Sequence, residues 1–174
     1  RVIEEEHRRF VAQLSQQARG ITDDLLLIRR LSMKTSARNQ FFGKVVQVTT
    51  GAVNDEVTLE VGGGHHIVAI VTRESVDELD LSPGSEAFAL VKSSSVILVV
   101  DGDDARFSAR NRLGGTVARV LPGAVNSEVV IDLAGGGTIT AIITNDSCTA
   151  LGLAPGASAT AIFKASSVII GIPV

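Results

Sequence analysis

The sequence predicts a mainly β protein: two tandem five-stranded Greek-key barrels of the oligonucleotide/oligosaccharide-binding type, preceded by an N-terminal α-helix. Three observations carry this. Residues 36–102 slide onto 108–174 without a gap, and about 31 of those 67 positions are identical. The chain has 17 Gly and 6 Phe but no Trp and no Tyr, with many Val, Ile and Ala, which favours short strands and tight turns over a helical bundle. The leading segment lacks this pattern and carries a helical one instead.

The elements follow in chain order. Over residues 1–34, Val2, Phe10, Leu14, Ala18, Ile21, Leu25 and Ile28 recur at helical spacing, with "EEEHRR" on the polar side. Gly20 is a point where such a helix bends or breaks before "ITDDLLLIRR". This stretch reads as a helical linker and dimerisation segment. The first barrel spans 35–100. Within it "KVVQVTT" (44–50), "EVTLEV" (56–61) and "HIVAIVT" (66–72) have strand composition, with "GAVN" and "GGGH" as turns. "RESVDELDL" (73–81) suits a short helix that stops at "SPG", followed by strands in "SEAFALVK" (85–92) and "SSVILVV" (94–100). "VDGDDARF" links to the second barrel, 107–174, which repeats the same order. Closure of each barrel would remove the exposed strand edges.

Composition narrows the function. The single Cys148 excludes an intrachain disulfide and points to a reducing, cytoplasmic setting. No stretch reaches the roughly 18 apolar residues of a membrane helix, so no membrane partner is expected. Residues 1–40 hold eight Lys/Arg and five Asp/Glu, and the remainder eight and fourteen. An acidic body poor in aromatic residues is a poor nucleic-acid surface.

The duplication acts as a filter on chemistry. Unit one keeps Ser36, Arg38, Asn39, Asn54, Thr72, Ser75, Lys92, Ser94 and Ser95; unit two keeps the same types 72 residues later. Glu56/Glu128 is the only acidic residue strictly repeated. Cys148 replaces Val76, and His65 and His66 replace Gly137 and Thr138, so neither thiol nor imidazole belongs to the repeated set. The two histidines read as solvated turn residues, with no metal directly ligated. Catalytic constellations lack their residues, so no enzyme is expected. What remains is a donor set: a planar guanidinium, an ammonium and hydroxyls, suited to a small oxyanion. The bland alternatives stand beside it. Asn39/Asn111 and Asn54/Asn126 suit turns in which the amide bonds local backbone. Arg38/Arg110 suit ion pairs with Glu56/Glu128, and Lys92/Lys164 suit solvated strand ends.

The combination of "SARN…G" twice, "GAVNxEV", "LGLAPG" and "KASSVI" resembles tandem molybdate/tungstate-binding (Mop) domains over about 140 residues. With the leading helix, the chain is similar to the C-terminal region of molybdate-responsive transcription regulators of the ModE type. The resemblance implies a homodimer that binds molybdate or tungstate at the subunit interface, needs no cofactor, and reaches operator DNA only through a winged-helix domain upstream of Arg1. It implies a first anion set of Ser36, Arg38, Lys92 and Ser93, completed by Thr72 and Ser75 from the partner subunit. Ser108, Arg110, Thr144, Ser147 and Lys164 form the corresponding second set. A tandem-domain molybdate storage protein is the runner-up reading. The accessory region of a molybdate-transporter ATPase is a third, without a P-loop here to support it.

Overall fold

A computed structural model describes His7, residues 9–12 and residues 34–173. The chain divides into two units, Arg1–Thr35 and Ser36–Val174. Of the first, residues 9–12 are helical and exposed. The rest of the predicted dimerisation helix lies outside the described residues.

The second unit holds both repeats. Repeat one supplies β1 (Asn39–Thr49), β2 (Asn54–Val61), β3 (His65–Thr72), α1 (Arg73–Glu78), β4 (Glu86–Val91) and β5 (Ile97–Val99). Repeat two supplies β6 (Asn111–Pro122), β7 (Asn126–Leu133), β8 (Thr138–Thr144), α2 (Asn145–Ala150), β9 (Ser158–Phe163) and β10 (Ile169–Gly171). The predicted order of three strands, a short helix and two strands is present in each. β1 begins earlier than the sequence suggests, because "NQFF" pairs with β4 from Asn39↔Val91 to Phe42↔Phe88.

The sheets do not coincide with the repeats. Their strand orders are β10-β4-β1-β2-β3 and β5-β9-β6-β7-β8, so each repeat donates its last strand to the other's sheet. β5 pairs antiparallel with β9 (Ile97↔Ile162 to Val99↔Thr160), and β10 with β4 (Ile169↔Leu90 to Gly171↔Phe88). A 3₁₀ turn precedes each exchanged strand, Ser93–Ser95 and Ala165–Ser167. Each exchanged segment buries alternate residues, Val96 just before β5 and Leu98 within it, Val168 just before β10 and Ile170 within it. Burial of each such aliphatic side chain contributes about 2 kcal/mol.

The sheets curl rather than close fully by backbone pairing. The long strands β1 and β6 turn at a bulge, between Val45 and Gln47 and between Val117 and Arg119. Such an extra residue bends the strand and sharpens its twist. The core is one cluster shared by both repeats, with Val57, Leu59, Ile67 and Ala69 matched by Val129, Ile131, Ile139 and Ala141. These alternate with outward residues along each strand, as a half-buried sheet requires.

The edge strands β3 and β8 each take one side-chain rung from the other repeat. Asn39 donates from Nδ2 to the Thr140 carbonyl (2.8 Å) and accepts from the Thr140 N–H (2.7 Å). Asn111 makes the same pair of bonds with Val68, both 2.8 Å. Each amide thus imitates one rung of a strand ladder on the other repeat. This corrects the expectation that Asn39 and Asn111 bond local turn backbone: both are buried and act across 101 and 43 residues. His65 also departs from the turn reading. It opens β3, and its Nε2 lies 2.5 Å from the Ala134 carbonyl of repeat two.

Candidate functional site

The donor residues of repeat one converge because β1 and β4 are antiparallel neighbours. Asn39 faces Val91, so Ser36–Arg38, just before β1, and Lys92–Ser93, just after β4, emerge at the same end of the sheet. Ser36, Arg38 and Lys92 are exposed and Ser93 is buried. The turn that starts at Ser93 packs against β8. Repeat two reproduces this: Ser108, Arg110 and Lys164 emerge together and are exposed, and the turn after Lys164 packs against β3. Ala165 stands where repeat one has Ser93, so a hydroxyl is lost there while the backbone N–H is kept.

The hydroxyl pairs form separately, at the N-termini of the short helices. Thr72 caps α1: its Oγ1 accepts from the Ser75 N–H (3.1 Å), and the two hydroxyls lie 2.8 Å apart. Thr144 and Ser147 repeat these distances at α2. The first role of the repeated Thr and Ser is therefore capping, which satisfies an otherwise orphaned helical N–H. Among the described residues, no hydrogen bond joins Thr72 or Ser75 to Arg38 or Lys92. The strand register puts the segments that carry the Ser–Arg–Lys part of each predicted set at one end of the sheet and leaves the hydroxyl part on another element.

The arginines meet carboxylates of the opposite repeat. Arg38 Nη2 donates to Glu128 Oε2 at 2.6 Å. Arg110 grips Glu56 with two bonds, Nη1 to Oε2 at 3.1 Å and Nη2 to Oε1 at 2.9 Å. Sequence reasoning identified the residue types of this pair but had no means to show that it crosses between repeats. It missed Arg119, whose Nη2 lies 3.8 Å from Glu128 Oε1. Gln47 occupies that position in repeat one, so the filter of repetition removed Arg119 from view.

Other groups fall outside this arrangement. Among the described residues, no cluster of three His, Cys, Asp or Glu side chains can hold a metal ion. Cys148 is buried and its Sγ points to the Leu153 carbonyl. Among the described residues, no helix is long and apolar enough to cross a membrane. A cleft of about 450 Å³ lies elsewhere on repeat one, lined by Phe42, Lys44, Glu60 and Pro83 among others, and contains none of the repeated donors.

Comparison with known proteins matches the same two repeats. The TOBE domain family matches residues 35–98 and again 108–170. The molybdenum-pterin-binding protein MopA of Rhodobacter capsulatus is 51% identical over 143 residues, which cover 82% of this chain and 54% of that protein. The molybdenum transport protein ModE of Azotobacter vinelandii is 43% identical over 177 residues, covering 99% of this chain and 65% of its own length. The chain therefore spans only part of these relatives. Among solved structures, the cytoplasmic molybdate-binding protein ModG, with molybdate bound, is 50% identical. It superposes with a TM-score of 0.79 over 81% of this chain and 100% of its own.

Proposed function

As the chain belongs to the TOBE-domain family, with two copies of that domain, we propose that it binds molybdate or tungstate as a sensor module and is not an enzyme. The observation that carries this is the convergence, twice in one chain, of a serine, an arginine and a lysine at the end of adjacent strands. Two cations carried on neighbouring strand ends suit a dianion. At an effective dielectric of about 20, each attracts a unit charge 4 Å away by about 4 kcal/mol before desolvation. The serine hydroxyl and the backbone N–H after the lysine then fix orientation. ModG, 50% identical, was solved with molybdate bound, which supports the same ligand here.

In this reading the first site comprises Ser36, Arg38, Lys92 and Ser93, completed by Thr72 and Ser75 of a partner subunit in a homodimer. The second comprises Ser108, Arg110 and Lys164 with Thr144 and Ser147. Completion across an interface accounts for hydroxyl pairs that stand exposed at helix N-termini, unjoined to the cations of their own repeat. The regulator role, with operator DNA contacted through an upstream winged-helix domain, is favoured by the match to ModE of Azotobacter vinelandii across 99% of this chain, leading segment included. Storage in the cytoplasm is the second reading, favoured by the match to the whole of the cytoplasmic molybdate-binding protein ModG over 81% of this chain.

Titration calorimetry with molybdate, tungstate and sulfate tests the ligand. All three are tetrahedral dianions, so charge does not separate them. A rigid cage sized for the longer metal–oxygen bonds leaves sulfate's hydrogen bonds stretched. Molybdate and tungstate are expected to bind and sulfate to bind far more weakly. Equal affinity for sulfate rejects the proposal.

A further inference from the structure

We propose that Glu56 and Glu128 set the affinity of the two anion sites by competing with the oxyanion for the arginines, and that Arg119 makes the sites unequal. This rests on the anion reading above. Each arginine that would hold the anion already donates to a carboxylate: Arg38 to Glu128 through one bond, Arg110 to Glu56 through two. An arriving dianion must draw donors away from that carboxylate and remain beside its charge, a repulsion between like charges.

The two pairs differ in what the carboxylate keeps afterwards. Glu128 has a second guanidinium, that of Arg119, at 3.8 Å. Arg119 stands immediately after the β6 bulge, and Gln47, its counterpart after the β1 bulge, carries no charge. When Arg38 turns to the anion, Glu128 remains paired. When Arg110 does so, Glu56 loses a two-pronged partner, and among the described residues no other basic group lies within salt-bridge distance of it. Glu56 is also the more exposed carboxylate, 34% against 18% for Glu128, so water partly compensates. Both arginines are 55% exposed, which limits the whole effect to a few-fold rather than orders of magnitude.

The geometry therefore assigns the tighter site to Arg38 and the weaker to Arg110. Molybdate titration of the full chain at fixed ionic strength reads them separately: Lys164→Ala leaves the Arg38 site, and Lys92→Ala leaves the Arg110 site. The Arg38 site should bind about threefold tighter. Glu56→Gln added to Lys92→Ala should tighten the Arg110 site by roughly three- to fivefold, because the competitor's charge is gone. Glu56→Asp, whose carboxylate is withdrawn from Arg110, gives the same direction if the Gln variant unfolds. Arg119→Gln added to Lys164→Ala should weaken the Arg38 site about threefold, and should have no effect once Glu128→Gln is also present. Unchanged or weaker binding in Glu56→Gln overturns the proposal, since the carboxylate would then be aligning the arginine. So does an Arg119 effect that survives the loss of Glu128. Wild-type chain that binds no molybdate overturns the anion reading itself, a result distinct from either.

Discussion

Asn39 and Asn111 are where single side chains do the work of a strand. Each is buried, and its carboxamide gives one donor and one acceptor to a backbone that has no strand beside it. Removing that amide leaves a half-buried N–H and C=O of the neighbouring strand without their partner, which costs more than the bonds themselves gain. Asn39→Ala should therefore lower unfolding stability by about 3 kcal/mol, measured by urea denaturation. Asn54→Ala is the contrast, since Asn54 is exposed at the start of β2, and should stay within about 0.5 kcal/mol. The binding residues follow the opposite rule. Arg38 is half exposed, so Arg38→Ala should leave the fold intact yet weaken molybdate binding by about 2 kcal/mol, roughly thirtyfold, through loss of a charge-assisted bond. Calorimetry beside a denaturation curve separates the two. An unfolded Arg38→Ala chain would show that the pair with Glu128 is structural first.

Strands β1 and β6 carry the curvature of the sheets, and a glycine in each permits it. A Cβ at Gly43 would lie 1.9 Å from the Glu60 carbonyl oxygen, and one at Gly115 2.0 Å from that of Asp132. Both obstacles are backbone of the neighbouring strand, so no rotamer change relieves them. Gly43→Ala is expected to destabilise by about 2 kcal/mol or more, as overpacking does. Gly62→Ala, where the same atom would meet nothing within 4 Å, should be neutral, and thermal unfolding of the two variants checks the difference. This requirement was visible beforehand only as a Gly repeated at an offset of 72. Why a strand should keep a glycine depended on knowing which carbonyl stands over it.

The two repeats behave as two copies joined by a tether. They trade β5 for β10, bond each other's edge strands β8 and β3 through Asn39 and Asn111, and pair charges across the divide. They also touch backbone to backbone at Gly63 and Gly135, whose carbonyl oxygens each lie within 3 Å of where the other's Cβ would be. A repeat alone would have a four-stranded sheet, an unsealed edge and a loose apolar strand. The isolated segment 36–100 is therefore expected to fold only by exchanging β5 with a second copy. Size-exclusion chromatography with light scattering should find a dimer, and a stable folded monomer would contradict the mutual dependence described here.

The sequence alone determined the strand inventory, the duplication and the residue types of the donor set. Each is local or repetitive: alternation places Val57 and Leu59 inside, turn residues punctuate the strands, and a repeated Ser-Ala-Arg-Asn marks positions under common constraint. Pairing of like with like was beyond it. "SSVIL" and "SSVII" have the same pattern, and both sheets offer the same groove, so nothing in either segment states which sheet it joins. The same degeneracy hid the partners of Arg38, Asn39 and Arg110, because every candidate contact within a repeat has an equivalent in the other. Only the tertiary structure breaks that tie. The turns at Ser93–Ser95 and Ala165–Ser167 carry each repeat away from its own sheet and across to the other, and the side chains then meet the edge that this path brings near.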